Sequence, residues 1–108
     1  MIDVRAHLAR KPLLFDGGMG TYYKAKPGTE CEQGNLLDPA GVRKVQREYL
    51  AAGAEAIKTN TFGLPRMAAA RQPDWQALAR AGWKLAAEAA VETGAAVFAD
   101  LGPAPDTE

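Results

Sequence analysis

Three short apolar runs divide the chain, and within each run the apolar residues are continuous rather than alternating with polar ones. They occupy residues 12–16, the centre of residues 54–61 at Ala56 and Ile57, and residues 95–101. Runs of this length, bounded by glycine or proline, predict buried β-strands. Strands that are apolar on both faces are typical of a parallel sheet covered by helices.

The segments around these strands carry apolar residues at helical spacing. Four helices are predicted, over residues 3–10, 39–53, 66–71 and 74–94. An aspartate stands where an N-cap is needed in three of them: Asp3, Asp38 and Asp74. Residues 17–38 show no clear periodicity and are predicted to be a loop, of a length that is often functional. We expect His7, on the leading helix, to be exposed or to serve in capping.

The predicted order is a helix followed by β-α-β-α-β, which is an α/β fold. Two architectures begin in this way, the doubly wound open sheet and the (β/α)8 barrel of about 250 residues. A chain of 108 residues is one domain at most. Three strands therefore predict an incomplete sheet in either case.

The glycine cluster after the first strand bears on the choice between these folds. A dinucleotide-binding turn needs a third glycine where this chain has Tyr23, and the second strand ends in Thr59 and Asn60 rather than in an acid. No phosphate-binding loop of the G-x-x-x-x-G-K-[ST] type is present. A small nucleotide- or phosphate-binding domain stays as an alternative, as does a non-catalytic amino-acid-binding or interaction module.

Composition narrows the class of partner. With 13 basic and 13 acidic residues the formal net charge is zero, which gives no indication of nucleic-acid binding. No apolar stretch approaches the ~18 residues that a membrane span needs, and the N-terminus does not have the pattern of a secretory signal. One cysteine, Cys31, allows no internal disulfide. These features indicate a cytoplasmic protein.

Several short motifs resemble one known family. They are Leu-Phe-Asp-Gly-Gly-Met-Gly-Thr at 14–21, Asn-Leu at 35–36, residues 49–55, Thr-Asn-Thr-Phe-Gly at 59–63, and Leu-Gly-Pro at 101–103. In this order and spacing they resemble the homocysteine S-methyltransferase family, which includes the homocysteine-binding module of cobalamin-dependent methionine synthase and betaine–homocysteine methyltransferase. The chain departs from the family at Lys58, where relatives often carry an acid or a glutamine.

The resemblance implies a fold and a chemistry. It implies that residues 1–108 are the N-terminal portion of a (β/α)8 TIM barrel, namely a leading helix and the first three strand–helix units, truncated after strand three. It also implies a zinc ion held by three cysteine thiolates on later strands, which lowers the thiol pKa of homocysteine so that the thiolate attacks a methyl donor. No catalytic residue or metal ligand is assigned to this chain, and Cys31 is interpreted as an ordinary loop thiol.

The candidate site residues lie at the carboxyl ends of the predicted strands, where barrels build their active sites. They are Asp16, Gly17, Gly18, Asn60 and Thr61. We expect Asp16 to pair with the ammonium of homocysteine and the two glycines to offer backbone N–H groups to its carboxylate. For Asn60 and Thr61 the resemblance implies only a place in the pocket. The alternative role is capping a turn for Asp16, backbone geometry for the two glycines, and satisfaction of buried backbone groups for Asn60.

An incomplete barrel also predicts how the chain behaves alone. Two parallel edges and the inner face of the sheet lack their partners. We therefore expect the isolated chain to be inactive, and to be marginally stable, self-associating or dependent on the missing C-terminal barrel portion.

Overall fold

The computed structural model describes residues 2–105, which form a mixed α/β unit. Its elements in chain order are α1 (Val4–Leu8), a 3-10 helix (Cys31–Gln33), α2 (Gly34–Leu37), α3 (Pro39–Ala51), β1 (Ala56–Lys58), α4 (Leu64–Ala69), α5 (Trp75–Val91) and β2 (Ala96–Phe98). Residue 1 and residues 106–108 of the predicted barrel portion lie outside the described residues.

The sheet is parallel, as predicted. Strands β1 and β2 pair in a register that joins Ala56 to Ala96 and Lys58 to Phe98. The predicted first strand is shorter than expected, because residues 12–16 form only a single parallel bridge, from Phe15 to Ala56. The backbone N–H of Leu14 bonds the side chain of Glu55 at 3.0 Å instead of a backbone carbonyl, which limits the ladder.

Local signals fix the beginnings of two helices where the sequence predicts them. The Asp3 side chain accepts a hydrogen bond from the Ala6 N–H, and the Asp38 side chain accepts one from the Gly41 N–H. Asp74 precedes α5, but its side chain makes no capping bond. Helix α4 begins at Leu64, two positions before the predicted start, because a proline fits in the first helical turn and does not break the helix there.

The prediction of an unstructured loop over residues 17–38 is wrong for its second half. The 3-10 helix and α2 occupy that half and lead directly into α3. The backbone N–H of Glu30 donates to the Gln33 side chain at 2.7 Å, which fixes the start of this helical segment. The segment places Cys31, Glu32 and Asn35 beside the sheet.

The helices cover one face of the sheet. Leu50, Ile57, Ala86 and Ala89 belong to one buried cluster that joins α3, β1 and α5. On the other face Phe15 and Phe98 pack against each other with ring centroids 4.8 Å apart, yet Phe15 stays 41% exposed. We call this second surface, defined by Phe15, Lys58 and Phe98, the open face.

The leading helix docks through its histidine. His7 is only 5% exposed, so the expectation that it is exposed or capping is wrong. Its Nε2 lies 3.2 Å from the carbonyl oxygen of Pro12 and 3.5 Å from Glu55 Oε2. These contacts hold α1 against the amino-terminal end of β1. Within residues 2–105 no helix combines the length and apolarity that crossing a bilayer demands.

Candidate functional site

A cavity of about 240 Å³ lies at the carboxyl ends of the parallel segments. We call it the strand-end pocket. It is lined by Asp16, Gly17, Gly18, Met19, Gly20, Cys31, Glu32, Lys58, Thr59, Asn60, Thr61, Phe62 and Asp100. The five residues predicted from the sequence all lie in this lining.

Asn60 is held from both sides in the wall of the pocket. Its Nδ2 donates to the Cys31 carbonyl at 3.0 Å and to Asn35 Oδ1 at 3.0 Å. Its Oδ1 accepts a hydrogen bond from the Cys31 thiol at 3.3 Å. Asn35 Nδ2 in turn donates to the Asn60 carbonyl at 2.8 Å. Because both amide donors of Asn60 are engaged, this side chain orders the wall.

Thr61 joins two strand ends. Its hydroxyl donates to the Asp100 carbonyl at 2.6 Å and lies 2.7 Å from the hydroxyl of Thr59. The Thr59 hydroxyl accepts a hydrogen bond from the Asp100 N–H at 3.1 Å. Helix α5 approaches this pair closely at Gly82, where a Cβ would stand 2.8 Å from Thr61 Cγ2. The threonines therefore fix the position of the loop that carries Asp100.

Asp16 forms an ion pair that the sequence analysis does not predict. Lys58 Nζ lies 2.5 Å from Asp16 Oδ1 and 3.2 Å from the Asp16 carbonyl oxygen. The Lys58 backbone N–H donates to Oδ2 at 3.1 Å. The Asp16 side chain is only 4% exposed, whereas that of Lys58 is 33% exposed. The cation, not the carboxylate, is the partner that a ligand can reach.

The glycine turn is held by a tyrosine from α3. The Tyr49 hydroxyl donates to the Gly18 carbonyl at 2.8 Å. A Cβ built on Gly17 would stand 2.7 Å from Tyr49 Oη, so glycine is required there for close packing. Within residues 2–105, the N–H groups of Gly17 and Gly18 donate to no protein acceptor. Both glycines line the strand-end pocket.

Two further acids line the pocket. Glu32 is 8% exposed and accepts a hydrogen bond from the Gly63 N–H at 3.0 Å. Burial raises the pKa of the Asp100 carboxyl, and the nearby Lys58 cation partly offsets this effect. Sequence reasoning missed Lys58 and Asp100, although both stand at strand ends, where the same rule that selected Asp16 applies. The sequence does not indicate Glu32 as a pocket residue, because its segment is predicted to be a loop.

Cys31 lines the strand-end pocket, whereas the sequence analysis interprets it as an ordinary loop thiol. Burial raises the pKa of its thiol to about 11, and the thiol donates to Asn60. Cys31 is the single cysteine of the 108 residues, so these residues cannot supply three thiolates. Among residues 2–105 no three histidine, cysteine, aspartate or glutamate side chains are grouped so that they could hold a metal ion. The donor set does not fit the thiolate zinc site that the resemblance implies.

The fold resembles that of a solved methyltransferase. The crystal structure of the homocysteine methyltransferase MmuM from Escherichia coli, in its metallated form, matches with a TM-score of 0.69 and 24% sequence identity. The match covers 93% of this chain and 41% of that chain, so this chain spans less than half the length of that structure. At this identity the likeness concerns the fold.

The family follows from the sequence profile. The profile of the homocysteine S-methyltransferase family matches residues 13–108, which is most of the chain. The chain therefore belongs to the homocysteine S-methyltransferase family, as the motifs around the strand ends predict.

Proposed function

We propose that this chain forms the homocysteine-binding N-terminal part of a zinc-dependent homocysteine S-methyltransferase, acting in the cytoplasm in methionine formation. The observation that carries the proposal is the strand-end pocket: Asp16, Gly17, Gly18, Asn60 and Thr61 meet there at the carboxyl ends of parallel segments. That is the end at which (β/α)8 barrels place their active sites. Family membership gives the pocket its substrate class.

The same proposal includes a partial barrel. The segment that forms the bridge at Phe15 lies beside β1, and β1 lies beside β2, in the order of three adjacent parallel strands. In the described residues, helices cover one face of these strands. The open face, with Phe15 exposed, has the character of a surface that a closed barrel buries. We infer that the remaining barrel strands, on this polypeptide or a second one, complete the pocket.

The zinc ligands are proposed to lie outside residues 2–105, because the 108 residues contain one cysteine and the described residues hold no group of three side chains that could bind a metal ion. The chain's own contribution is recognition of an amino acid. Its pocket combines free backbone N–H groups at Gly17 and Gly18 with charged side chains of both signs. Homocysteine carries one carboxylate and one ammonium, which such a pocket can complement.

Titration of the ¹⁵N-labelled 108-residue chain with L-homocysteine, followed by NMR, tests the substrate. We expect amide shifts concentrated at Gly17, Gly18, Asn60 and Thr61, with weak, millimolar affinity because one wall alone is present. ATP serves as the control ligand and is expected to shift none of these amides. Binding of ATP without binding of homocysteine would favour the nucleotide alternative and contradict the proposal.

Zinc analysis and a methyl-transfer assay test whether the chain alone lacks the zinc site and the activity. The purified chain is expected to retain no stoichiometric zinc and to transfer no methyl group to homocysteine with S-methylmethionine, betaine or a methylated folate or cobalamin. Stoichiometric zinc together with methyl transfer by the chain alone would overturn the proposal that it is one part of the site.

A further inference from the structure

Lys58 is the charged group of the open face and stands at the rim of the strand-end pocket. Its Nζ lies 5.7 Å from the centroid of the Phe15 ring, and its register partner on β2 is Phe98. Lys58 is the last residue of β1, and strand ends are where barrels place the residues that contact the substrate. Its position makes it a candidate for substrate specificity.

The contacts of Lys58 leave part of its ammonium free. An ammonium has three donors, and within residues 2–105 its acceptors are Oδ1 and the carbonyl oxygen of a single residue, Asp16. The side chain is 33% exposed, and the pocket contains the unpaired N–H groups of Gly17 and Gly18. One cation and two free amides on one rim form a site for an anion of carboxylate size.

Asp16 is poorly placed to bind a ligand's ammonium directly. Each of its carboxylate oxygens already accepts a hydrogen bond from Lys58, and its side chain is 4% exposed. Asp100 also lines the pocket, and its carboxylate accepts no hydrogen bond from a described residue. A ligand ammonium beside Asp100 would give this carboxylate a hydrogen-bond donor, which the described residues do not provide.

Resting on the proposed function, we propose that Lys58 binds the α-carboxylate of the amino-acid substrate together with the Gly17 and Gly18 amides. Asp16 is then a positioning residue that orients Lys58, and Asp100 receives the substrate's ammonium. This assignment reverses the expectation from the sequence, in which Asp16 itself holds the ammonium. Lys58 would then select substrates that carry a carboxylate.

Three thiol compounds distinguish the proposed role of Lys58 from that of Asp100. L-Homocysteine carries both charged groups, 4-mercaptobutyrate lacks the ammonium, and 3-aminopropane-1-thiol lacks the carboxylate. In the unaltered chain, reductive methylation of Lys58, quantified by peptide mass spectrometry, is expected to slow when homocysteine or 4-mercaptobutyrate is bound. 3-Aminopropane-1-thiol is expected to leave the Lys58 rate unchanged. This measurement needs no substitution and so does not depend on a variant that folds.

Variants test the same assignment by NMR titration. Lys58→Met is expected to weaken homocysteine and 4-mercaptobutyrate binding by roughly 10- to 100-fold, as for loss of a charged hydrogen bond, and to leave 3-aminopropane-1-thiol unaffected. Asp100→Asn is expected to do the converse. Asp16→Asn should weaken binding of 4-mercaptobutyrate but not of 3-aminopropane-1-thiol, which separates positioning from direct contact. Lys84→Met, an exposed lysine on α5, is the matched control.

The outcomes distinguish the two proposals. Homocysteine binding that neither protects Lys58 nor weakens in Lys58→Met would overturn the carboxylate assignment and leave the proposed function standing. No homocysteine binding by the unaltered chain would refute the proposed function and this assignment with it. Equal protection of Lys58 by 3-aminopropane-1-thiol would also overturn the assignment, since that ligand has no carboxylate.

Discussion

Replacing Gly17 with alanine tests whether the glycine turn is held by packing or is merely a flexible connection. A Cβ at this position would stand 2.7 Å from Tyr49 Oη and 2.8 Å from Tyr49 Cε1, so the ring must move. Its movement would stretch or break the bond from the Tyr49 hydroxyl to the Gly18 carbonyl. The turn that carries Asp16 into the strand-end pocket would shift with it.

The expected loss of stability follows from three contributions. Overpacking at a closely packed site costs about 1–3 kcal/mol, and loss of the Tyr49 bond costs about 1 kcal/mol. Alanine regains about 0.4–1 kcal/mol by restricting the unfolded chain. We expect Gly17→Ala to lower the free energy of unfolding by roughly 1.5–3 kcal/mol, which shifts a urea midpoint by about 1 M or more. Fluorescence of Trp75 and Trp83 reports the transition.

Gly20 supplies the matched control, because a Cβ there meets no atom within 4 Å. Gly20→Ala is expected to be neutral or slightly stabilising. In a Tyr49→Leu background the cost of Gly17→Ala should fall, which gives a coupling energy of about 0.5 kcal/mol or more in a double-mutant cycle. Equal midpoints for Gly17→Ala and Gly20→Ala would refute the packing argument.

Three other measurements test the Asn35 hydrogen bonds in the pocket wall, the pKa of the Cys31 thiol, and self-association of the chain. Asn35→Leu is expected to lower the free energy of unfolding by roughly 2–4 kcal/mol, measured in urea, because it leaves buried partners of the Asn35 amide unpaired; a loss below about 1 kcal/mol would contradict this. Since the pKa of Cys31 is raised to about 11, iodoacetamide should alkylate it slowly at pH 8 and faster as the pH rises toward that value, whereas a rate that levels off near pH 9 would contradict the raised pKa. Light scattering after size exclusion should show mass increasing with concentration, and Trp83→Glu, at a side chain that is 51% exposed, should shift the chain toward monomer; a monomer at every concentration would count against self-association.

The helices and the order of the strands could be predicted because they depend on local signals. Asp3 and Asp38 are at the ends of apolar periodic segments, and their side chains cap the helices that those segments form. The continuous apolar runs correctly indicated parallel pairing, which the β1–β2 register confirms. These features need no knowledge of which residues meet across the fold.

Three of the errors concern contacts that form only when the chain folds back on itself. The first strand is reduced to one bridge because the side chain of Glu55 takes the Leu14 N–H, a pairing over forty residues apart in the chain that periodicity cannot show. His7 is buried because its ring meets Pro12 and Glu55, again after the chain folds back. The pairing of Asp16 with Lys58 is of the same kind, since only the sheet register brings them together.

The strand-end pocket and the open face are two consequences of one arrangement. Parallel segments that end side by side bring Asp16, Lys58 and Asp100 into the same cavity. The same segments pack Phe15 on Phe98 and leave Phe15 41% exposed among the described residues. Closing the sheet into a barrel would bury these rings and also lower the polarity around Lys58, which strengthens every charged contact in the pocket. Stability and substrate affinity should therefore increase together when the remaining strands are supplied, and a complement that stabilised the chain without tightening homocysteine binding would separate the two.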